Sequence, residues 1–415
     1  MSAKHACRIA VALLALVVSR HGIASDPAEA TVDPSVLERL QALGYLDGVE
    51  RAPERTGVLA HDRRRAQAGL NFYVSGDTPE ARLVDMDGTL LHRWRVDFDA
   101  MQDRETARRG LDRADLAYVR RAHLFPNGDV LAVLNDMALV KLDAHSRVLW
   151  RHFGRPHHDV DVGPDGSVWM IGRVERPFPL PARGLVLDDE IVRLDAAGHE
   201  LDRLSLSVAL LNGGHRRLME QAGARIRTPA APFGDVFHTN SIEVLDGRLA
   251  DRLPAFRAGA LLVSCPSLHI VMVVDMEQRA VTWTLQGDFR YQHHPTVVDA
   301  GRLLLFDNQR GDDRHSRVRE LDPVSGAELW GYGGSDDEPM YSWCCGTCHR
   351  LPNGNTLIVE TQAGRAVEVT PGGEIVWEFV VPHRAGPDGT RIAQLFDLVR
   401  VDGPRPPAWA THGGS

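Results

Sequence analysis

Long apolar runs are nearly missing from this chain of 415 residues. The single one stands at the front, in MSAKHACRIAVALLALVVSRHGIAS, where Lys4 and Arg8 precede an apolar run from Ile9 to Val18. That run is too short to cross a bilayer, and Gly22-Ile23-Ala24 offers a small-residue cleavage site, so residues 1–24 read as a secretory signal peptide. The expected mature chain has no membrane span and is periplasmic or secreted. Positive charge is also in deficit: 47 Lys and Arg against 56 Asp and Glu leave a net charge of −9, with a pI near 6.1. Such a balance argues against nucleic acid as a partner. Cysteine is scarce, five in all, and losing Cys7 with the signal leaves Cys265, Cys344, Cys345 and Cys348. On the oxidising side of a membrane these permit two bridges, and at least one disulfide involving the 344–348 group is expected.

What the chain repeats is a hairpin. EARLVDMDGTLLHRW (80–94) alternates apolar residues, turns through Asp-x-Asp-Gly, alternates again and ends on Trp. The pattern returns at 138–150, 190–204, 270–283, 317–330 and 365–377, six copies spaced by 47 to 80 residues. Period-two strands on either side of an Asp, Gly, Pro or Ser turn read as a β-hairpin. A second turn-plus-strand unit precedes most copies: FPNGDVLAVL (125–134), GPDGSVWMIG (163–172), DAGRLLLFDN (299–308) and LPNGNTLIVE (351–360). Together they supply about four strands per repeat, the blade of a β-propeller. The fold expected is all-β, a six-bladed β-propeller over residues 63–402.

Other segments break the pattern. After the signal, residues 25–62 form a lead-in whose stretch 34–47 spaces Val36, Leu37, Leu40, Leu43 and Leu46 as a short amphipathic helix. Residues 99–121 are charged and helix-like, and 207–232 form a second helical insertion, the usual form of lids or braces. The tail, 403–415, reads as disordered.

Nineteen histidines are many for this length, and several fall at one repeat position. Counting back from the turn glycine of each blade, His157 and His158 lie nine and eight residues before Gly166, His238 nine before Gly247, and His293 eight before Gly301. Equivalent strand ends of a propeller meet at one mouth of its channel, so three blades would deliver imidazoles to a shared ring. Neutral imidazoles can hold a transition metal, but a carboxylate ligand set is not obvious there, so metal is the weaker choice and none is expected. The same ruler weighs Cys345-Gly346-Thr347-Cys348-His349, which has the spelling of a haem attachment site. His349 lies five residues before Gly354, as His123 lies five before Gly128 in a blade with no such motif. The repeat itself accounts for that histidine, and a disulfide is preferred over haem.

The segments HHDVDVGPDG, DVFHTNSIEV, LLVSCPSLHIVMVVD, QHHPTVVDAGRLLLFDN and LPNGNTLIVETQAGRAVEVTPGGEIVWEF resemble the periplasmic arylsulfate sulfotransferases that work without the nucleotide donor PAPS. The likeness runs from about residue 70 to about residue 400. It implies a six-bladed propeller with a histidine at the channel mouth that becomes transiently sulfated. By motif position His293 is that nucleophile, His238 is the second catalytic histidine with Asn240 beside it, and His158 or His157 is the third. The family's arginine for the sulfuryl oxygens is matched here by Pro266, leaving Arg120, eight residues before Gly128, and Arg290 as candidate replacements. The function expected is transfer of a sulfuryl group from an aryl sulfate to a phenol through a sulfohistidine, with no cofactor. Two other classes compete with it. One is a non-catalytic propeller binding a small anion or a protein at the same mouth, which the lost arginine favours. The other is a redox protein built on the cysteine cluster.

Overall fold

Five of the six repeated turns are closed by an aspartate that caps its own backbone. Asp85 accepts the N–H groups of Asp87 and Thr89, Asp143 those of His145 and Arg147, and Asp195 those of Ala197 and His199. Asp275 and Asp322 do the same, and in the sixth repeat Thr370 Oγ1 accepts from Glu374. Short polar side chains satisfy the turn locally, so each hairpin closes without outside help.

The computed structural model describes residues 48, 50–98, 101, 118–180, 184–226, 234–298, 301–309, 315–335, 337–403 and 407–412. The signal peptide, the 34–47 helix and nearly all of the 99–117 segment expected from sequence lie outside these residues. The hairpins assemble into a six-bladed β-propeller of antiparallel sheets. From inside outwards, blade 1 runs Leu395–Val401, Leu70–Ser75, Glu80–Val84 and Leu90–Arg95, so the last strand of the chain becomes the innermost strand of the first blade. Blade 2 runs Val119–Leu124, Val130–Leu134, Ala138–Leu142 and Val148–His152. Residues 119–121, part of the segment expected to be helical, therefore belong to an inner strand.

Blade 3 runs Val160–Val162, Val168–Pro177, Leu185–Leu194 and Glu200–Ser205, and blade 4 runs Ser241–Val244, Leu261–Cys265, Ile270–Asp275 and Ala280–Leu285. Blade 5 runs His293–Val298, Arg302–Asp307, Arg317–Leu321 and Glu328–Tyr332. Blade 6 runs Thr347–Arg350, Thr356–Glu360, Arg365–Val369 and Ile375–Val380, with Gly57–His61 added as a fifth, outer strand. Both ends of the propeller are thus tied into sheets.

The tryptophan that ends the repeat latches one blade to the next. Trp94 Nε1 donates to Gly128 O, Trp150 to Ala196 O, Trp330 to Pro371 O and Trp377 to Met86 O, at 2.8–3.0 Å. Gly198 lets the Trp150 ring lie flat on the neighbouring turn: with φ +86°, a Cβ there would stand 2.6 Å from the indole. Blade 3 has Leu204 in place of Trp and continues into helix α1 (Leu206–Asn212), capped by Ser205, followed by α2 (Arg216–Arg225). Leu206, Ala209, Leu210, Leu218, Met219 and Ala222 of these helices bury with Val236, Phe237, Leu261 and Val263 in one core between blades 3 and 4. The insertion braces the ring where a latch is missing.

Deeper in, side chains of one inner strand accept backbone N–H groups of the next. Asp159 takes Ile242 N (3.1 Å), Asp161 takes Val244 N (2.7 Å) and Glu243 takes Val297 N (2.9 Å). The tail departs from expectation: residues 408–412 form a 3₁₀ turn, and Trp409 packs against His92 and Trp94 while donating to Pro126 O at 3.1 Å. An aromatic surface already present on blades 1 and 2 orders what composition alone marks as loose.

Candidate functional site

The chain enters the inner strands of blades 3 to 6 through left-handed residues. His158 (φ +61°), His238 (+53°), Tyr291 (+54°) and Cys345 (+63°) each stand two or three residues ahead of their strand. None is glycine, and a non-glycine residue held at positive φ stores strain that packing must offset. The same sharp bend recurs in four blades and gathers their side chains at one end of the ring.

There the imidazoles form a connected row. His238 and His158 meet edge to face with centroids 4.8 Å apart, and His158 Nδ1 lies 2.8 Å from His157 Nδ1. Each end of the row rests on a carboxylate. His238 Nδ1 donates to Asp235 Oδ2 at 2.5 Å, and His157 Nε2 stands 3.2 Å from Asp189 Oδ1. His157 and His158 share one hydrogen bond between their Nδ1 atoms, one donating and the other accepting. His158 Nε2 is buried without a hydrogen-bond partner among the described residues, as is His157 Nε2 despite its closeness to Asp189. Burial, then His238, Arg120 and His157, push the His158 pKa well below the ordinary histidine value, so it is neutral. Burial alone would raise Asp235, but the neighbouring His238 holds its carboxyl below the usual range.

His293 is oriented from behind. Its Nδ1 lies 2.9 Å from Tyr291 O and 2.7 Å from Asn308 Oδ1, and Asn308 Nδ2 is committed to Ser342 O and Cys345 O. A backbone carbonyl accepts only, so Nδ1 carries the proton and Nε2 the lone pair, which meets the Cys345 N–H at 3.2 Å. Asn240 Nδ2 donates to Gln292 O at 2.9 Å, fastening the backbone beside His293, and Asn240 Oδ1 is buried with no partner among the described residues.

Positive charge enters from blades 2 and 3. Arg120 is buried, its guanidinium 3.3 Å from Cys345 Sγ and 4.8 Å from the centre of the Phe396 ring. Arg173 is also buried, 3.2 Å from Asp136 and opposite Asp189 across its hairpin, and it adds to the depression of both the His157 and His158 pKa values. Arg290, the other candidate from sequence, is exposed and its hydrogen bonds to Asp307 and Gln309 use backbone atoms. Pro266, in the position the resemblance gives to arginine, is buried at the start of a 3₁₀ turn. The structure thus joins His157, His158 and His238 in one row, connects His293 to Arg120 through Cys345, ties Asn240 to Gln292 beside His293, and leaves Arg290 on the surface.

The residues that sequence reasoning missed are the supporting ones: Asp189, Asp235, Asn308 and Arg173. Only Asp235 left a signal, three residues ahead of His238, which is the spacing that lets one side chain reach the other. The expected disulfide is not formed in this structure. Among the described residues Cys265, Cys344, Cys345 and Cys348 are buried thiols with no disulfide. Cys265 sits in blade 4 against Thr239 and Cys348 faces the His294 carbonyl, while Cys344 and Cys345 approach each other at 3.6 Å. Cys348 and His349, the end of the haem-like motif, lie in the inner strand of blade 6, and His349 Nε2 is held by Asp397 at 3.1 Å.

A six-bladed propeller whose mouth presents oriented imidazoles beside buried guanidinium groups defines a class suited to an anionic small molecule. More specifically, the family model described as arylsulfotransferase (ASST) matches residues 122–382, and the chain belongs to that family. No curated protein sequence matches it. Among solved structures, a protein of unknown function from Bacteroides caccae is similar with a TM-score of 0.51 at 11% identity, covering 81% of this chain and 100% of that one. A catalytically inactive variant of virginiamycin B lyase from Staphylococcus aureus, with quinupristin, gives a TM-score of 0.42 at 10% identity, covering 79% of this chain and 89% of that one.

Proposed function

We propose that this protein transfers a sulfuryl group from an aryl sulfate to a phenol, with His293 as the carrier. The observation that supports it most is the fixed tautomer of His293, whose Nδ1–H is bound by Asn308 and Tyr291 O so that Nε2 keeps its lone pair. In the reaction Nε2 attacks sulfur, the N–S bond forms as the S–O bond to the aryl group breaks, and the electron pair leaves on the phenolate oxygen. Doubly protonated and backed by Asp235, His238 gives that oxygen its Nε2 proton, is left neutral, and recovers the proton from the incoming phenol. The second phenol oxygen then attacks sulfur, the N–S bond breaks, and His293 recovers its lone pair.

Sulfuryl transfer needs fixed donors around three oxygens more than it needs covalent help elsewhere. Arg120 and Arg173 supply the positive charge that Pro266 cannot, and the Cys345 N–H supplies a backbone donor next to the reacting nitrogen. Export to the periplasm fits the apolar run at residues 9–18 and belongs to the same proposal. The test is incubation with a chromogenic aryl sulfate, with and without added phenol. The expected result is ping-pong kinetics and a mass increment on the peptide carrying His293. No turnover and no sulfated histidine would leave a propeller that only binds anions.

A further inference from the structure

Cys344 and Cys345 are adjacent, buried, and their sulfurs lie 3.6 Å apart. The peptide between them is held at both of its polar atoms. The Cys344 carbonyl accepts from Ser342 Oγ at 2.7 Å, and the Cys345 N–H meets His293 Nε2 at 3.2 Å. The Cys345 carbonyl is bound in turn by Asn308 Nδ2 at 2.8 Å, the same amide that fixes His293 Nδ1. Gly346 follows at φ +105°, where any Cβ would stand 2.8 Å from the Phe306 ring, so the segment has little room to shift as a body. Arg120 lies 3.3 Å from Cys345 Sγ, and a guanidinium beside a thiol favours the reactive thiolate.

We propose that Cys344 and Cys345 form a redox modification site, reversibly oxidised to a vicinal disulfide that disables His293. A small peroxide suits so enclosed a pair. The Cys345 thiolate attacks one peroxide oxygen and becomes a sulfenic acid, and the second oxygen leaves as water after taking a proton. The Cys344 thiol then displaces the sulfenic oxygen as a second water, which completes a two-electron oxidation. Joining the sulfurs requires them to close to about 2.0 Å, while Cα atoms across a trans peptide lie about 3.8 Å apart, less than ordinary disulfides span. The peptide itself must therefore rotate, and its N–H leaves His293. A disulfide formed under that constraint is easily reduced, which makes the modification reversible.

This inference rests on the sulfuryl-transfer reading for its consequence but not for its chemistry, and its test separates the two. The full chain is exposed to hydrogen peroxide, mapped by peptide mass spectrometry, and probed at His293 by its rate of carbethoxylation, before and after dithiothreitol. The expected result is loss of about two mass units in the peptide holding both cysteines, and a changed His293 reaction rate that the reductant restores. In Cys344→Ser neither change occurs. If reduced protein turns over aryl sulfate, oxidation lowers that rate about tenfold or more, the scale on which a misplaced catalytic group is felt. If reduced protein shows no turnover, the transfer reading fails while the mass and carbethoxylation data still decide the switch. An oxidised pair with unchanged His293 reactivity overturns it, as does peroxide treatment that yields no 344–345 link.

Discussion

The channel mouth and the girdle beside it are built from consecutive residues of the same inner strands, yet they treat charge in opposite ways. The mouth takes Arg120, His158 and His293; the girdle takes Arg121, Asp159 and His294. In the girdle Arg121 lies 2.9 Å from Asp159 and 2.5 Å from Asp397, and Asp397 also receives Thr347 Oγ1 at 2.8 Å and His349 Nε2 at 3.1 Å. His294 packs on His349 and lies 3.1 Å from the Cys348 carbonyl. Blades 1, 2, 3, 5 and 6 are joined in this one network. At the mouth, by contrast, His158 Nε2 and two acceptors, Asn240 Oδ1 and Gln292 Oε1, are buried with no partner among the described residues, while the girdle leaves one donor, Arg121 Nε, without a hydrogen bond there. A network whose charges pair with one another holds a ring together, whereas unmatched acceptors suit a group that arrives with donors.

The sharpest way to break the comparison is at the neighbouring histidines. His293→Ala should lower sulfuryl transfer by at least about 10⁴-fold, because it removes the carrier itself. His294→Ala should leave transfer within about tenfold while lowering the urea midpoint, since this imidazole faces His349 and has no part in the chemistry. Burial, then His349 and Arg121, hold its pKa well below the ordinary histidine value, so it enters the network neutral. Equal losses of activity in the two variants would show that mouth and girdle are not separate. Stability follows as the next largest effect. Arg121→Ala strands two buried carboxylates, and breaking such a pair costs about 3–5 kcal/mol by urea unfolding. Burial alone would raise Asp397, yet Arg121 and His349 hold it well below its usual range.

The third contrast concerns the guanidinium groups. Arg120→Ala should reduce transfer by roughly 10²–10³-fold, the cost of removing one group that steadies transition-state charge. Its effect on the urea midpoint should be smaller than that of Arg121→Ala, one residue away. Arg290→Ala, on the exposed side, should change neither. A large activity loss in Arg290→Ala would overturn the assignment of the cation to blade 2.

Much of this division was legible in the sequence, for a physical reason. Turn glycines and capping aspartates recur because each hairpin must close locally, so they give a ruler from which His158, His238 and His293 read as equivalent; in the fold the left-handed bend of His158 and His238 falls on Tyr291 in blade 5, and His293 opens the strand. The Trp94 and Trp377 latches were visible as the last residue of a pattern, though not their partners Gly128 and Met86. Closure of blade 1 by Leu395–Val401 was not visible, because strand pairing across some 320 residues leaves no local trace. Asp189 and Asn308 were missed for the same reason: one lies on the third strand of blade 3, the other just past the second strand of blade 5, and each meets its histidine only once the chain has folded. Arg120 and Arg290 looked alike as sequence, and burial alone tells them apart. The number of cysteines permits bridges but says nothing of pairing, and the blades place Cys265 and Cys348 against other partners.

An effect of a different kind, on pH dependence alone, lies further along the same inner strands, at Glu243 between blades 4 and 5. Unlike Asp397 it forms no ion pair with an arginine among the described residues; its carboxyl accepts the Val297 N–H at 2.9 Å, and burial, with Asp161 nearby, pushes its pKa up to about 8. An unfolded glutamate titrates near about 4.3. Between those values the folded chain holds a proton that the unfolded chain has released, so stability falls as pH rises across the window. Arg248 opposes the shift and Asp246 adds to it, without changing its direction. Glu243→Gln keeps an oxygen for Val297 and cannot ionise. Relative to the variant the wild type should therefore lose about 3–4 kcal/mol between pH 5 and pH 8, measured by urea unfolding at both values. The absence of that loss would mean that Glu243 is ionised in the fold and paired, which would make it part of the closed network after all.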